Sequence, residues 1–223
     1  LRICDPAVGS GHFLVSCLNE LIAIKSRLKI LADAQGNRIS NYYVEVDNDE
    51  LIIMHTETDE IFAYKLVDDS VPKNVQHVQQ ILFHEKQKLI ENCLFGVDIN
   101  ANSVGICQLR LWIELLKSAY YREGTDGQLE TLPNIDINIK CGNSLLSRFS
   151  LDQNLSEAFK KAKLTVSEYR KLVNDYKTTK DKTVKRNLQD KISQAKMQFQ
   201  EEELERLTKT YKLEIAKLKA KEA

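Results

Sequence analysis

No stretch of the 223 residues stays apolar for long enough to span a membrane, because each long hydrophobic pattern is broken by Lys, Asp or Glu. No secretory signal opens the chain. It starts on Leu-Arg-Ile-Cys without an initiator Met, as expected of a piece of a longer polypeptide. Cys-x-x-Cys pairs are missing too: Cys4, Cys17, Cys93, Cys107 and Cys141 are odd in number and lie among apolar neighbours. That pattern argues against a disulfide framework or structural zinc and predicts reduced, buried thiols in a cytoplasmic setting. The four histidines are scattered, and His84 in "HEKQK" lacks the second His of a zinc-protease helix, so no metal site is expected. Proline is scarce, with Pro6, Pro72 and Pro133 all isolated, and glycine ends at Gly142.

What is present divides unevenly. With 43% hydrophobic residues the chain can build one core of ordinary size and an appendage. Residues 1–150 carry 14 Lys+Arg against 20 Asp+Glu, whereas residues 151–223 carry 18 against 12. Two parts with different tasks are expected, 1–149 and 150–223.

An apolar strand at Leu1–Cys4 precedes a loop, Asp5–Gly11, and then Leu14, Cys17, Leu18, Leu21, Ile22, Leu28 and Leu31 recur at helical spacing up to a terminator at Gly36. Strand, glycine loop and helix make half of a βαβ unit. Within 37–76, Val44, Val46, Leu51, Ile53, Ile61 and Phe62 predict an inserted antiparallel meander. A helix around Val78–Ile90 is followed by a strand at Cys93–Val97, a helix over Ser103–Tyr121 closed by Gly124, and a strand carrying Ile135, Ile137 and Ile139 that ends in a turn at Gly142-Asn143. The fold class is α/β, with polar groups in a row along the carboxyl edge of the sheet, where such folds bind ligands. Beyond Ser150, Thr165 and Glu168 form a capping-box pattern. Val184, Leu188, Ile192, Ala195 and Phe199, then Leu204, Leu207, Tyr211 and Leu218, predict two long helices in a hairpin.

The stretch "DPAVGSGHFL" asks what its loop holds. A dinucleotide loop would carry a third glycine, but here "HFLV" follows. The preceding Asp5 disfavours a pyrophosphate through like-charge repulsion and favours a cation, such as the ammonium of an amino-acid moiety. Together with "LFGVDINANSVGICQLRLWIELL" and "LPNIDINIKCGNSLL", the stretch resembles the three ordered signatures of amino-methyltransferases acting on DNA bases. The match is best to the bacterial adenine-specific (N6) enzymes of restriction-modification and phage-exclusion systems, in particular the type IIG restriction enzyme/methyltransferases. Val8 stands where that family commonly has Cys.

The resemblance covers about residues 1–148 and implies a partial Rossmann-like class I core that binds S-adenosylmethionine. It implies that Asp5, Ala7, Gly9 and Gly11 hold the methionine part, that Asp98 accepts from the ribose hydroxyls, and that Ile99 packs on the adenine ring. Asn143, where relatives often carry Asp, would accept from the adenine amino group, with Ser144 helping to orient it. Taken singly, Asp98 or Asn100 could equally be a helix N-terminal residue, and Asn143 a turn residue. Trp112, Tyr120 and Tyr121 are read as packing residues. His12 is read as structural or surface.

In the family a fourth signature, Asn/Asp-Pro-Pro-Tyr/Phe, performs the chemistry on a flipped base. With no adjacent prolines, these 223 residues contain no such catalytic loop, and no credible nuclease core either. The implied partner is double-stranded DNA through the longer parent, with no membrane. The basic 150–223 segment is either a spacer that contacts other domains or a second copy, or a DNA contact. Alternatives are a subunit of a type I or phage-exclusion system, methylation of RNA or a protein glutamine, and a non-catalytic scaffold with a degenerate pocket.

Overall fold

The structure is a computed structural model. It describes residues 1–33, 35–65, 71–122, 127–133, 135–146, 165–179, 181, 183–197, 208–209 and 211–212. The chain divides into two compact units, Leu1–Leu146 and Ser147–Ala223.

In the first unit the order is β1 (Ile3–Asp5), α1 (His12–Arg27), β2 (Tyr42–Asp47), β3 (Glu50–His55), α2 (Lys73–Asn92), β4 (Leu94–Asp98), α3 (Ala101–Leu116) and β5 (Ile139–Cys141). Three strands form a sheet in the order β1-β4-β5, parallel at both junctions. Parallel neighbours require crossovers, which the helices provide, and α1, α2 and α3 all pack on β4. Each presents one apolar stripe: Leu14, Leu18 and Ile22 from α1, Ile81 and Ile90 from α2, and Cys107, Leu111 and Leu115 from α3, all fully or nearly fully buried with Leu94 and Ile139 of the sheet. At about 1.5–3 kcal/mol per buried aliphatic side chain, this stripe packing is the main stabilising term.

Two buried polar side chains inside this core tie its elements together. Lys86 on α2 is 2% exposed and donates to the carbonyl of Glu114 at 2.9 Å, with the Glu114 carboxylate 3.6 Å away. Asn138 donates to the carbonyls of Ile90 (2.6 Å) and Leu94 (3.1 Å), which joins the end of α2 and the start of β4 to the entry of β5.

The insertion is a two-stranded hairpin with Asp47 opposite Glu50. Its two-residue turn, Asn48-Asp49, has φ of 49° and 69°, as a type I′ turn requires. It is fastened to α1, because Ser16 donates to the Asp49 carboxylate (2.7 Å), Asn19 to the Asp49 carbonyl (2.6 Å), and the Val44 amide to Ser26 (2.8 Å). Ile61 adds one bridge to Met54.

Several sequence expectations are corrected. α1 stops at Arg27, not near Leu31, and Lys29 rather than Gly36 ends it. Lys29 takes φ 55° while the Ile30 amide returns to the Lys25 carbonyl (3.0 Å), a Schellman closure with lysine where glycine is usual. Ile135 and Ile137 lie outside β5. The Asn138 amide bonds the Ile135 carbonyl at 3.0 Å, so their alternation marks a turn, and the strand begins at Ile139. α3 ends at Leu116, short of Tyr121, and α2 begins at Lys73, earlier than Val78, where Pro72 sets the entry. Cys4 and Cys141 are exposed, contrary to the buried thiols expected, because they sit on the short flanking strands β1 and β5.

In the second unit α4 (Val166–Thr178) carries the capping box, with the Thr165 hydroxyl accepting from the Glu168 amide and the Glu168 carboxylate accepting from the Thr165 amide. Residues 183–197 are also helical, started by Asp181, whose carboxylate accepts from the amides of Thr183 (2.7 Å) and Val184 (3.0 Å). Tyr176, Ile192 and Ala195 are buried. Gly124, the 149/150 boundary, Phe199, Leu204, Leu207 and Leu218 lie outside the described residues.

Candidate functional site

The carboxyl ends of β1, β4 and β5 bring the three signature stretches to one edge of the sheet. Asp5 is the last residue of β1 and pairs with Gly96; Asp98, the last of β4, pairs with Cys141. Because side chains alternate along a strand, Asp98 shares a face parity with Gly96 and hence with Asp5. The two acids therefore stand on adjacent strands, with the same facing and two residues apart in register.

The glycine loop is clamped to β4. The Val8 amide donates to the Val97 carbonyl (2.9 Å), and Val8 itself is buried against Gly96, where an added Cβ would come within 2.7 Å of a Val8 methyl. Gly11 is buried against α3, where a Cβ would lie 2.6 Å from the Cys107 sulfur and 3.1 Å from its Cα. Gly9 has φ 52°, and a Cβ there would meet only the Ala7 carbonyl, at 4.0 Å. Gly11 is thus glycine for packing, and Gly9 leaves an open cradle at the loop's outer side.

Asp5 accepts from the amide of Ala7 at 3.0 Å, which turns the chain into the loop. Asp98 accepts from the amides of Gly9 and Asn100, each at 2.8 Å. These bonds, with Asn100 the larger contributor, hold the Asp98 carboxyl below the usual carboxylate range. The N-cap of α3 is Asn100, which accepts from the Asn102 amide at 2.9 Å, so Asp98 is not the capping residue. Burial pushes the Cys107 thiol up to about 11, with Asp5 adding to the effect, so it serves as an inert packing group beneath the loop.

Asn143 follows β5, is exposed, and its side-chain oxygen accepts from the Leu145 amide at 3.0 Å; Ser144 is exposed beside it. Ile99 is 74% exposed at the end of β4. Phe13, Leu145 and Leu146, not singled out in the sequence, are also exposed and follow the ends of β1 and β5. Helical phase could have shown Phe13, since Leu14 and Leu18 define the buried face of α1 and Phe13 falls off it. His12 is exposed and takes a 2.8 Å hydrogen bond from Arg110. Trp112 and Tyr120 do pack: Trp112 donates to the Pro133 carbonyl (3.1 Å) and Tyr120 is buried edge-on to Phe83. Among the described residues no group of three His, Cys, Asp or Glu is disposed to hold a metal ion, and no helix is long and apolar enough to cross a membrane.

The arrangement offers a carboxylate at the mouth of a bare glycine loop, a second carboxylate one strand over with acceptor capacity beyond its two amides, and exposed apolar side chains beside them. Chemically it suits a ligand with a cationic group, a polyol and a flat apolar ring.

The family model described as Eco57I restriction-modification methylase matches residues 92–221, which include Asp98, Ile99, Asn143 and Ser144. A protein of Methanocaldococcus jannaschii, named as a type II restriction enzyme and methyltransferase, is 34% identical over 157 residues, amounting to 70% of this chain and 9% of that protein. The chain thus spans less than a tenth of that relative's length. No solved structure matches it.

Proposed function

Since the chain belongs to the Eco57I restriction-modification methylase family, we propose that it is the cofactor-binding part of a DNA adenine-N6 methyltransferase within a type II restriction-modification enzyme. S-adenosylmethionine, when bound, supplies an electrophilic methyl group on its sulfonium. Asp5 receives the ammonium of the methionine part, and the Ala7–Gly11 backbone lies along it with Gly9 leaving room. Asp98 accepts from the ribose hydroxyls, Ile99 covers the adenine ring, and Asn143 with Ser144 addresses the ring's polar edge. The core, 1–149 with its 37–76 insertion, is a partial Rossmann-like class I fold, and 150–223 is a charged helical hairpin.

One observation carries this reading: the β1-β4-β5 order and register, which set Asp5 and Asp98 on adjacent strand ends with the same facing and the glycine loop between them. The fit of the absent ligand rests on donor chemistry. A carboxylate has about four lone-pair sites, and Asp98 spends two on amides, which leaves one for each of two hydroxyls. The open side of Gly9 agrees with a close backbone approach.

The 223 residues contain no adjacent prolines, so by themselves they bind without transferring. DNA is the partner of the longer parent, which places it in the cytoplasm. Titration calorimetry with S-adenosylmethionine tests the reading. Heat that Asp5→Ala and Asp98→Ala both abolish supports it, whereas a folded full-length parent that gives no heat supports a scaffold instead.

A further inference from the structure

The Asp98 carboxylate has a structural task that needs no ligand. Each of its oxygens already accepts one backbone N–H at 2.8 Å, Oδ2 from Gly9 and Oδ1 from Asn100. Gly9 is 89 residues away in sequence, so this bond ties the glycine loop after β1 to the end of β4. Around it the loop is held by the Val8 amide on the Val97 carbonyl and by two tight packing contacts, Val8 on Gly96 and Gly11 on Cys107. Both of those lie on the inner side of the loop. At Gly9 the outer side is open, and the Val8–Gly9 peptide is held from both ends, its carbonyl by the Gly11 amide (2.8 Å) and its N–H by the Asp98 carboxylate (2.8 Å).

We infer that Asp98 is the positioning residue of the glycine loop, and that through the Gly9 amide it couples recognition of the sugar to the shape of the loop that holds the rest of the ligand. The coupling half of this inference rests on the cofactor reading above; the tie itself does not. Removing the carboxylate should then weaken binding even of a ligand that has no hydroxyls to give it. Asparagine is no conservative replacement here. It keeps one acceptor oxygen but presents an NH2 group to whichever amide faced the other oxygen, so one of the two bonds becomes a donor-donor clash.

The test uses the ligand-free protein and two probes, S-adenosylhomocysteine and its 2′,3′-dideoxy analogue. In Asp98→Ala, exchange of the Gly9 amide measured by nitrogen-15 NMR should rise about tenfold, as expected on losing one charge-assisted hydrogen bond. The Gly9 amide proton should also move upfield, because it no longer points at a carboxylate. The dideoxy analogue should bind Asp98→Ala about tenfold more weakly than wild type, a loss that a role confined to the sugar could not produce. Asp98→Asn, which keeps the side-chain volume, should change the exchange and shift of Gly9 or Asn100, and it serves if the alanine variant unfolds. Unchanged Gly9 exchange and shift in a folded Asp98→Ala protein would overturn the tie, and equal affinity of wild type and variant for the dideoxy analogue would overturn the coupling. If wild type binds neither probe, the cofactor reading fails, and the exchange result alone then upholds or overturns the tie.

Discussion

Replacing Gly11 with alanine asks two things of the protein at once, and the structure allows each to be sized. The residue has φ 85°, a conformation that costs an L-residue with a Cβ about 1–2 kcal/mol. The new methyl would also lie 2.6 Å from the Cys107 sulfur and 3.1 Å from its Cα and Cβ, and such overpacking in a filled core costs about 1–3 kcal/mol. The sum, about 2–5 kcal/mol, is a large share of the stability of a domain this size. Urea unfolding followed by circular dichroism would measure it, and two other glycines calibrate the parts. Gly36 has φ 90° with nothing within 4 Å, so Gly36→Ala should cost only the backbone share, about 1–2 kcal/mol. Gly105 lies inside α3 with nothing within 4 Å, so Gly105→Ala should stabilise by up to about 1 kcal/mol. Cys107→Ala combined with Gly11→Ala should recover part of the overpacking cost and none of the backbone cost. If Gly11→Ala costs no more than Gly36→Ala, or if Cys107→Ala brings no relief, the loop is not wedged on α3 as described.

Three further outcomes follow from the packing. Burial holds the Lys86 ammonium down to about 8, against an ordinary 10.5, with Glu114 opposing. Between those values the unfolded chain binds more protons, so this contribution grows as pH rises and is lost as pH falls through 8. The stability of wild type relative to Lys86→Met should therefore increase by ~1–2 kcal/mol from pH 8 to pH 9.5, and a pH-independent difference would contradict the burial. Gly96→Ala, whose methyl would sit 2.7 Å from a Val8 methyl, should destabilise by about 1–3 kcal/mol in denaturant unfolding and raise amide exchange in the glycine loop. Thr165→Ala removes the capping box of α4, and should cost about 1 kcal/mol locally, read as faster exchange of the first-turn amides.

Much of the site can be read from residue order, and the reason is local. A strand that ends in Asp5 and runs into two glycines needs no distant partner to be read as a tight loop at the sheet edge and a candidate site. The Asn100 cap and the Thr165–Glu168 box are likewise encoded within a few residues. Long-range facts were hidden. That Gly9 bonds Asp98, that Gly11 rests on Cys107 and that Asn19 fastens a hairpin tip depend on crossovers whose register no spacing reveals. Boundaries failed where backbone overrode pattern: Lys29 ended α1 in a left-handed conformation, and a turn claimed Ile135 and Ile137 despite their alternation. The exposed Phe13 went unassigned because it sits next to Leu14, and only helical phase separates the two.

A nitrogen-15 NMR titration of the protein with S-adenosylmethionine addresses the central claim most directly, since it locates the ligand whether or not methyl transfer occurs. Saturable shifts concentrated at Gly9, Gly11, Ile99 and Ser144, and absent from the hairpin tip at Asn48 and Asp49, are the expected result. Saturable shifts that spare those four amides would show that the acids at the ends of β1 and β4 do not frame the cofactor pocket.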